Sequence, residues 1–114
     1  MRLENKESGG YVVVKPLDAR FDATKASELK DVIRKFVKSG KHAFLMNLSK
    51  LLYMDSRGLG VIISIKEMLE KENSYIVLCG AKGTVANTLR ITRMEFIFKI
   101  FETEEDALRE PATL

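Results

Sequence analysis

Two nearly unbroken apolar runs constrain this chain most: Ala43-Phe44-Leu45-Met46-Asn47-Leu48 and Tyr75-Ile76-Val77-Leu78-Cys79. A strand with one wet face alternates apolar and polar residues. A run without that alternation predicts a strand covered on both faces. The flanking segments supply cover. From Thr24 to Ser39, Ala26, Leu29, Val32, Ile33, Phe36 and Val37 recur at three- and four-residue spacing, the apolar stripe of an amphipathic helix. Asp22 stands just before it, where a side-chain oxygen can cap free N–H groups, and Gly40 follows as a terminator. Ser56 to Glu72 reads as a second helix. Strands and helices therefore alternate, which predicts a layered α/β domain with helices covering a largely parallel or mixed sheet.

The remaining segments extend that pattern. Leu3 to Lys6 and Tyr11 to Lys15 read as a hairpin turning at Ser8-Gly9-Gly10, with Pro16 ending its second strand or lying at an edge. Leu17 to Asp22 reads as irregular. Lys82 to Thr92 reads as a third helix, with Val85, Leu89 and Ala86 turned inward. Phe96 to Phe101 contains a last strand, and Glu104 to Glu110 is a short helix that Thr103 can cap. Residues 1–110 are expected to form the single domain and 111–114 a loose tail.

Composition narrows the class. A chain of 114 residues, 46% apolar, suits one domain that buries a core without disulfides or metals. A lone cysteine, Cys79, excludes an internal disulfide framework and fits a reducing compartment. The start, Met1 to Lys6, lacks the apolar stretch of a secretory leader. No apolar run approaches the roughly 20 residues of a bilayer span. The cytoplasm is the expected location, with no membrane partner. The net charge is +3, but Lys and Glu are interspersed with no block of like charge, so no direct nucleic-acid contact is expected.

The segment Tyr53-Met54-Asp55-Ser56-Arg57-Gly58-Leu59-Gly60 carries the functional signal. A helix begins at Asp55-Ser56, with two glycines in its first turn. Each costs roughly 1 kcal/mol against alanine, and missing side chains let another molecule approach the backbone. A hydroxyl such as that of Ser56 sits at the positive end of the helix dipole, where a phosphate would be favoured. The local alternative is that serine merely caps the helix. Catalysis is not expected. The segment lacks the Lys-Ser/Thr end of a P-loop and the third glycine of a dinucleotide fingerprint. There is no Gly-x-Ser-x-Gly elbow. The one histidine, His42, opens a strand, and one His with one Cys makes no usual zinc site.

Asp55-Ser56-Arg57-Gly58-Leu59-Gly60 resembles the Asp-Ser-(Ser/Thr)-Gly-Leu-Gly signature of STAS-domain anti-sigma factor antagonists. Phe21-Asp22 followed by Ala26 and Leu29, the strand ending in Asn47-Leu48, and Phe98-Lys99-Ile100-Phe101 before an acidic helix extend the likeness. The resemblance implies a small sheet with helices packed mainly on one face, no cofactor and no enzymatic activity. It implies that Ser56 is phosphorylated by an anti-sigma factor serine kinase. The unphosphorylated antagonist would bind that kinase and free its sigma factor, and a phosphoserine phosphatase would reset the cycle. The docking surface so implied comprises Asp22, Thr24, Asp55, Ser56, Arg57, Gly58, Leu59 and Gly60. Arg57 departs from the signature by adding a cation beside the modified position, and Ala19 stands where glycine is usual. A rival within the same fold is an unphosphorylated STAS module of a sensory complex or a lipid-transport ATPase.

Overall fold

The computed structural model describes residues 2–21 and 23–112. Strands β1 (Leu3–Ser8) and β2 (Tyr11–Pro16) form the expected hairpin, paired from Leu3 opposite Pro16 to Ser8 opposite Tyr11. The two apolar runs form β4 (Ala43–Asn47) and β6 (Tyr75–Cys79). With the short β7 (Ile100–Phe101) they give a five-stranded sheet of order β1-β2-β4-β6-β7, in which only β1 runs antiparallel.

Register explains why β4 and β6 show no alternation. Val12, Phe44 and Ile76 share one row, and Val14, Met46 and Leu78 another, on the face covered by three helices. These are α1 (Ala26–Lys38), α2 (Ser56–Glu70) and α3 (Gly83–Ile91), which bring Leu29, Ile33, Ile62, Ile65, Leu69, Val85 and Leu89 onto it. Val13, Leu45 and Val77 face the other side and form a second cluster with Tyr11, Ala43, Cys79 and Ala107. Ala107 comes from α4 (Glu104–Leu108), so the helices are massed on one face and a single short one covers part of the other.

The ends of α1 and α4 follow from their sequences. Gly40 adopts φ +95° beyond α1; its N–H donates to Val37 O, and that of Lys41 to Phe36 O, the paired bonds of a left-handed helix stop. Thr103 caps α4, its hydroxyl accepting from the Asp106 N–H at 3.0 Å. The proposed cap at Asp22 lies outside the described residues.

One segment was misread. Within Leu17 to Asp22, Arg20–Phe21 form β3, which pairs in parallel with β5 (Tyr53–Met54) as a separate two-stranded sheet. Two residues are too few for any hydrophobic period. This small sheet, with a 3-10 turn at Ala23–Lys25, is what carries the residues before α1 to the start of α2. A second 3-10 turn at Met94–Phe96 precedes β7.

Candidate docking site at the start of the second helix

The start of α2 is built from three segments distant in sequence. Asp55 is extended (φ −94°, ψ −178°), its carbonyl accepts the Leu59 N–H at 3.0 Å, and its Oδ1 accepts the Gly58 N–H at 2.9 Å. Asp55 is therefore the N-cap, and the alternative reading, that Ser56 merely caps the helix, is corrected. Ser56 is the first helical residue. It is exposed, and its hydroxyl has no hydrogen-bond partner among the described residues. Either residue type caps a helix well, so composition could not choose between neighbours. The backbone chooses, because the cap is the last extended residue before the helical turn.

The two glycines serve different ends. A Cβ on Gly58 would fall 2.4 Å from the Phe21 carbonyl oxygen and 3.1 Å from Met54 Cγ. Gly58 is buried, and its missing side chain lets β3 lie against the first turn of α2. Its N–H is taken by Asp55, so it offers no free donor to a partner. Gly60 is exposed, and a Cβ there would meet nothing within 4 Å. No internal contact calls for glycine at that position. Leu59 is buried at 5% exposure and belongs to the core, holding the turn from below.

Arg20 and Tyr53, which the sequence reading did not single out, complete the site. Arg20 Nη2 lies 3.9 Å from Asp55 Oδ2, and its guanidinium stacks over the Tyr53 ring, 5.1 Å from the centroid. The signal for Tyr53 is its place before the signature with nearly half its surface exposed; nothing local marks Arg20, which arrives through the β3–β5 pairing. Arg57 is exposed in the first turn and Thr24 is exposed in the 3-10 turn that packs beside α2. The structure thus brings Thr24, Asp55, Ser56, Arg57 and Gly60 to one surface and places Gly58 and Leu59 beneath it. Asp22 lies outside the described residues.

Among the described residues, the one histidine does not pair with Ser56. His42 precedes β4, and its Nδ1 meets Ser74 Oγ at 2.8 Å. Ser56 follows β5, which the chain reaches only after leaving the opposite end of β4, itself roughly 16 Å long at about 3.3 Å per strand residue. Burial pushes the Cys79 thiol up to about 12, which keeps it protonated and inert. Asn47, a buried polar residue, is satisfied: its Nδ2 donates to Glu104 Oε1 and its Oδ1 accepts the Ser49 N–H, each at 2.9 Å. No helix among the described residues is long and apolar enough to cross a membrane, and no group of three or more metal-ligating side chains forms among them.

Known proteins share this architecture. The STAS domain family model matches residues 2–107. A Thermotoga neapolitana protein, a homologue of TM1081 assigned as an anti-sigma factor antagonist, is 32% identical over 79 residues, covering 69% of this chain and 70% of its own. The crystal structure of the corresponding Thermotoga maritima protein superposes with a TM-score of 0.80 at 24% identity, covering 94% of this chain and 92% of that one. The anti-sigma factor antagonist SpoIIAA in its unphosphorylated form gives 0.74 at 19% identity, covering 94% and 93%. With the glycine-dependent turn at Asp55 to Gly60 packed against the small β3–β5 sheet, this chain belongs to the STAS domain family.

Proposed function

We propose that this chain is an anti-sigma factor antagonist acting in the cytoplasm. Its unphosphorylated form binds an anti-sigma factor serine kinase and releases the sigma factor; phosphorylation of Ser56 ends that binding, and a phosphoserine phosphatase restores it. One observation carries the reading. At a helix start where capping is assigned to Asp55, the adjacent Ser56 hydroxyl is exposed and structurally idle. A phosphate on Ser56 would meet the positive end of α2 and unpaired backbone N–H groups of its first turn, while adding nearly two negative charges to the surface. The domain acts as a binding module and carries no catalysis of its own. Thr24, Asp55, Arg57 and Gly60 form the contact surface about Ser56, with Asp22 expected beside them.

Incubation with the cognate kinase and ATP, followed by peptide mass spectrometry, tests the assignment. Phosphate should appear on the peptide containing Ser56. Ser74 is buried and Ser64 is half-buried, accepting from Lys30 Nζ at 2.5 Å, so neither is a ready substrate. Phosphate on Ser49, Ser64 or Ser74 alone would overturn the proposal. Tight binding to a sensory or transport assembly with Ser56 never modified would favour the unphosphorylated-module reading.

A further inference from the structure

Beside Ser56 the chain holds a large apolar side chain out in solvent on a fixed backbone. Leu52 is 68% exposed and Tyr53 47%. The Leu52 N–H donates to Ala19 O at 2.7 Å, as does that of Tyr53 at 3.1 Å, while the Leu52 carbonyl accepts the Thr84 hydroxyl at 2.6 Å. Both backbone groups of Leu52 are thus tied, one toward β3 and the other to the first turn of α3. An apolar side chain fixed in this way loses little conformational freedom on being covered, which is the property of an interface anchor.

The surroundings are basic. Arg20 stacks on Tyr53, Arg57 lies in the adjoining turn of α2, Lys50 is two residues before Leu52, and Lys82 is two before Thr84. All four are exposed. The carboxylates nearby among the described residues include Asp55, engaged as cap and with Arg20, Asp18, which adjoins Ala19 and pairs with Arg2 at 3.6 Å, and Glu102, which lines a cavity with Lys82. Another exposed apolar group, Ile91, Phe96 and Ile97, lies at and beyond the far end of α3. That helix begins at the Leu52 side and runs back along the sheet, so the two surfaces are separate.

We infer that Leu52 and Tyr53 are the anchor of the docking surface, and that their occupant is a protein face with an apolar cleft rimmed by aspartate and glutamate. The inference rests on the antagonist reading and names the chemistry of the partner at the same site. It also gives phosphorylation a second effect. A phosphate at Ser56, next to Arg57 in the same turn, would add nearly two negative charges and offset the positive charge of Arg57, Lys50 and Lys82 that attracts such a face. Steering would fall together with contact.

The test uses the full chain and the kinase that modifies Ser56. Leu52→Ser should weaken binding about tenfold or more with no loss of thermal stability, because the side chain packs on little within the fold. Lys50→Glu with Lys82→Glu should slow association about tenfold at low salt, an effect that fades near 1 M salt. If both variants bind like wild type while Ser56→Asp still blocks binding, the anchor is refuted and the switch survives. An arm independent of any kinase is an NMR titration, read on methyl and aromatic ring signals, with two amphipathic peptides that share one apolar face and differ in carrying Glu or Lys on the other. The Glu peptide alone should shift Leu52 and Tyr53 signals, even if Ser56 is never phosphorylated. Equal response to both peptides, no response, shifts centred on Ile91 and Phe96, or a preference for vesicles of anionic lipid over the Glu peptide would each overturn the inference.

Discussion

Alanine substitution at Gly58 and at Gly60, made separately, should move stability in opposite directions although the two residues share one helical turn. By helix propensity alone both changes are favourable by roughly 1 kcal/mol. At Gly58 the added Cβ would sit 2.4 Å from Phe21 O and 3.3 Å from Phe21 C. Reaching even a 3.0 Å contact requires an opening of 0.6 Å, and the obstacle is backbone. That backbone is fixed on two sides, since Phe21 is fully buried and pairs with Met54. Overpacking costs about 1–3 kcal/mol, and an unyielding backbone obstacle puts this case near the upper end, about 2–3 kcal/mol; less the propensity gain of roughly 1 kcal/mol, the net change should be a loss of about 1–2 kcal/mol. At Gly60 nothing lies within 4 Å and no left-handed φ is required, so alanine should gain about 0.5–1 kcal/mol. For a domain of this size 1 kcal/mol corresponds to about 4 °C in Tm, so the two variants should melt roughly 6–12 °C apart. Thermal melts and urea titrations with an unchanged m-value would establish the difference. A Gly58→Ala protein as stable as wild type would show that β3 is not seated on α2 as described. A destabilised Gly60→Ala would show that this face of α2 is covered within the monomer. The stabilised Gly60→Ala variant should nevertheless bind the partner more weakly, because glycine there has no internal use.

Other expectations follow from the corrected cap. Asp55→Ala should cost about 1 kcal/mol, whereas Ser56→Ala should stay within about 0.5 kcal/mol of wild type; equal losses in denaturant melts would return a capping role to Ser56. Ser56→Asp should keep the fold, since a negative charge suits the first turn, yet lower affinity for the kinase by tens to thousands of fold in calorimetric titration; undiminished binding, by the aspartate variant and by true phosphoserine alike, would refute the switch. At Glu104, burial favours the neutral acid, but hydrogen bonds from Lys6 and Asn47 outweigh it and hold the carboxyl below its ordinary 4.5. The stabilisation it gives is present above pH 4.5 and is lost as pH falls through the lower folded value; Glu104→Gln should flatten the acid limb of a stability–pH curve, and an unchanged limb would contradict the assignment. Cys79 should resist thiol reagents at pH 8 in the native state and react promptly in urea; rapid native labelling would show that β6 opens readily.

What the sequence determined by itself is the set of elements whose cause is local. Unbroken apolar runs gave β4 and β6 with their bounds nearly intact. The three- and four-residue stripe gave α1, Gly40 its end, and Thr103 the start of α4, because periodicity and capping involve residues only a few positions apart. The signature at Asp55 to Gly60 was legible for the same reason, as was the start of α2 beside Ser56. Tertiary structure alone decided the rest. Pairing of Arg20–Phe21 with Tyr53–Met54 leaves no periodic trace in two-residue strands, and on that pairing depend Arg20 at the site and the need for glycine at Gly58. Gly58 and Gly60 look alike in a sequence; only the approach of the Phe21 carbonyl separates a packing glycine from an open one. Leu52 shows the limit most clearly. Its apolar character suggests a core residue, and only the distant anchors at Ala19 and Thr84, which fix its backbone and leave its side chain in water, make it a surface for another molecule.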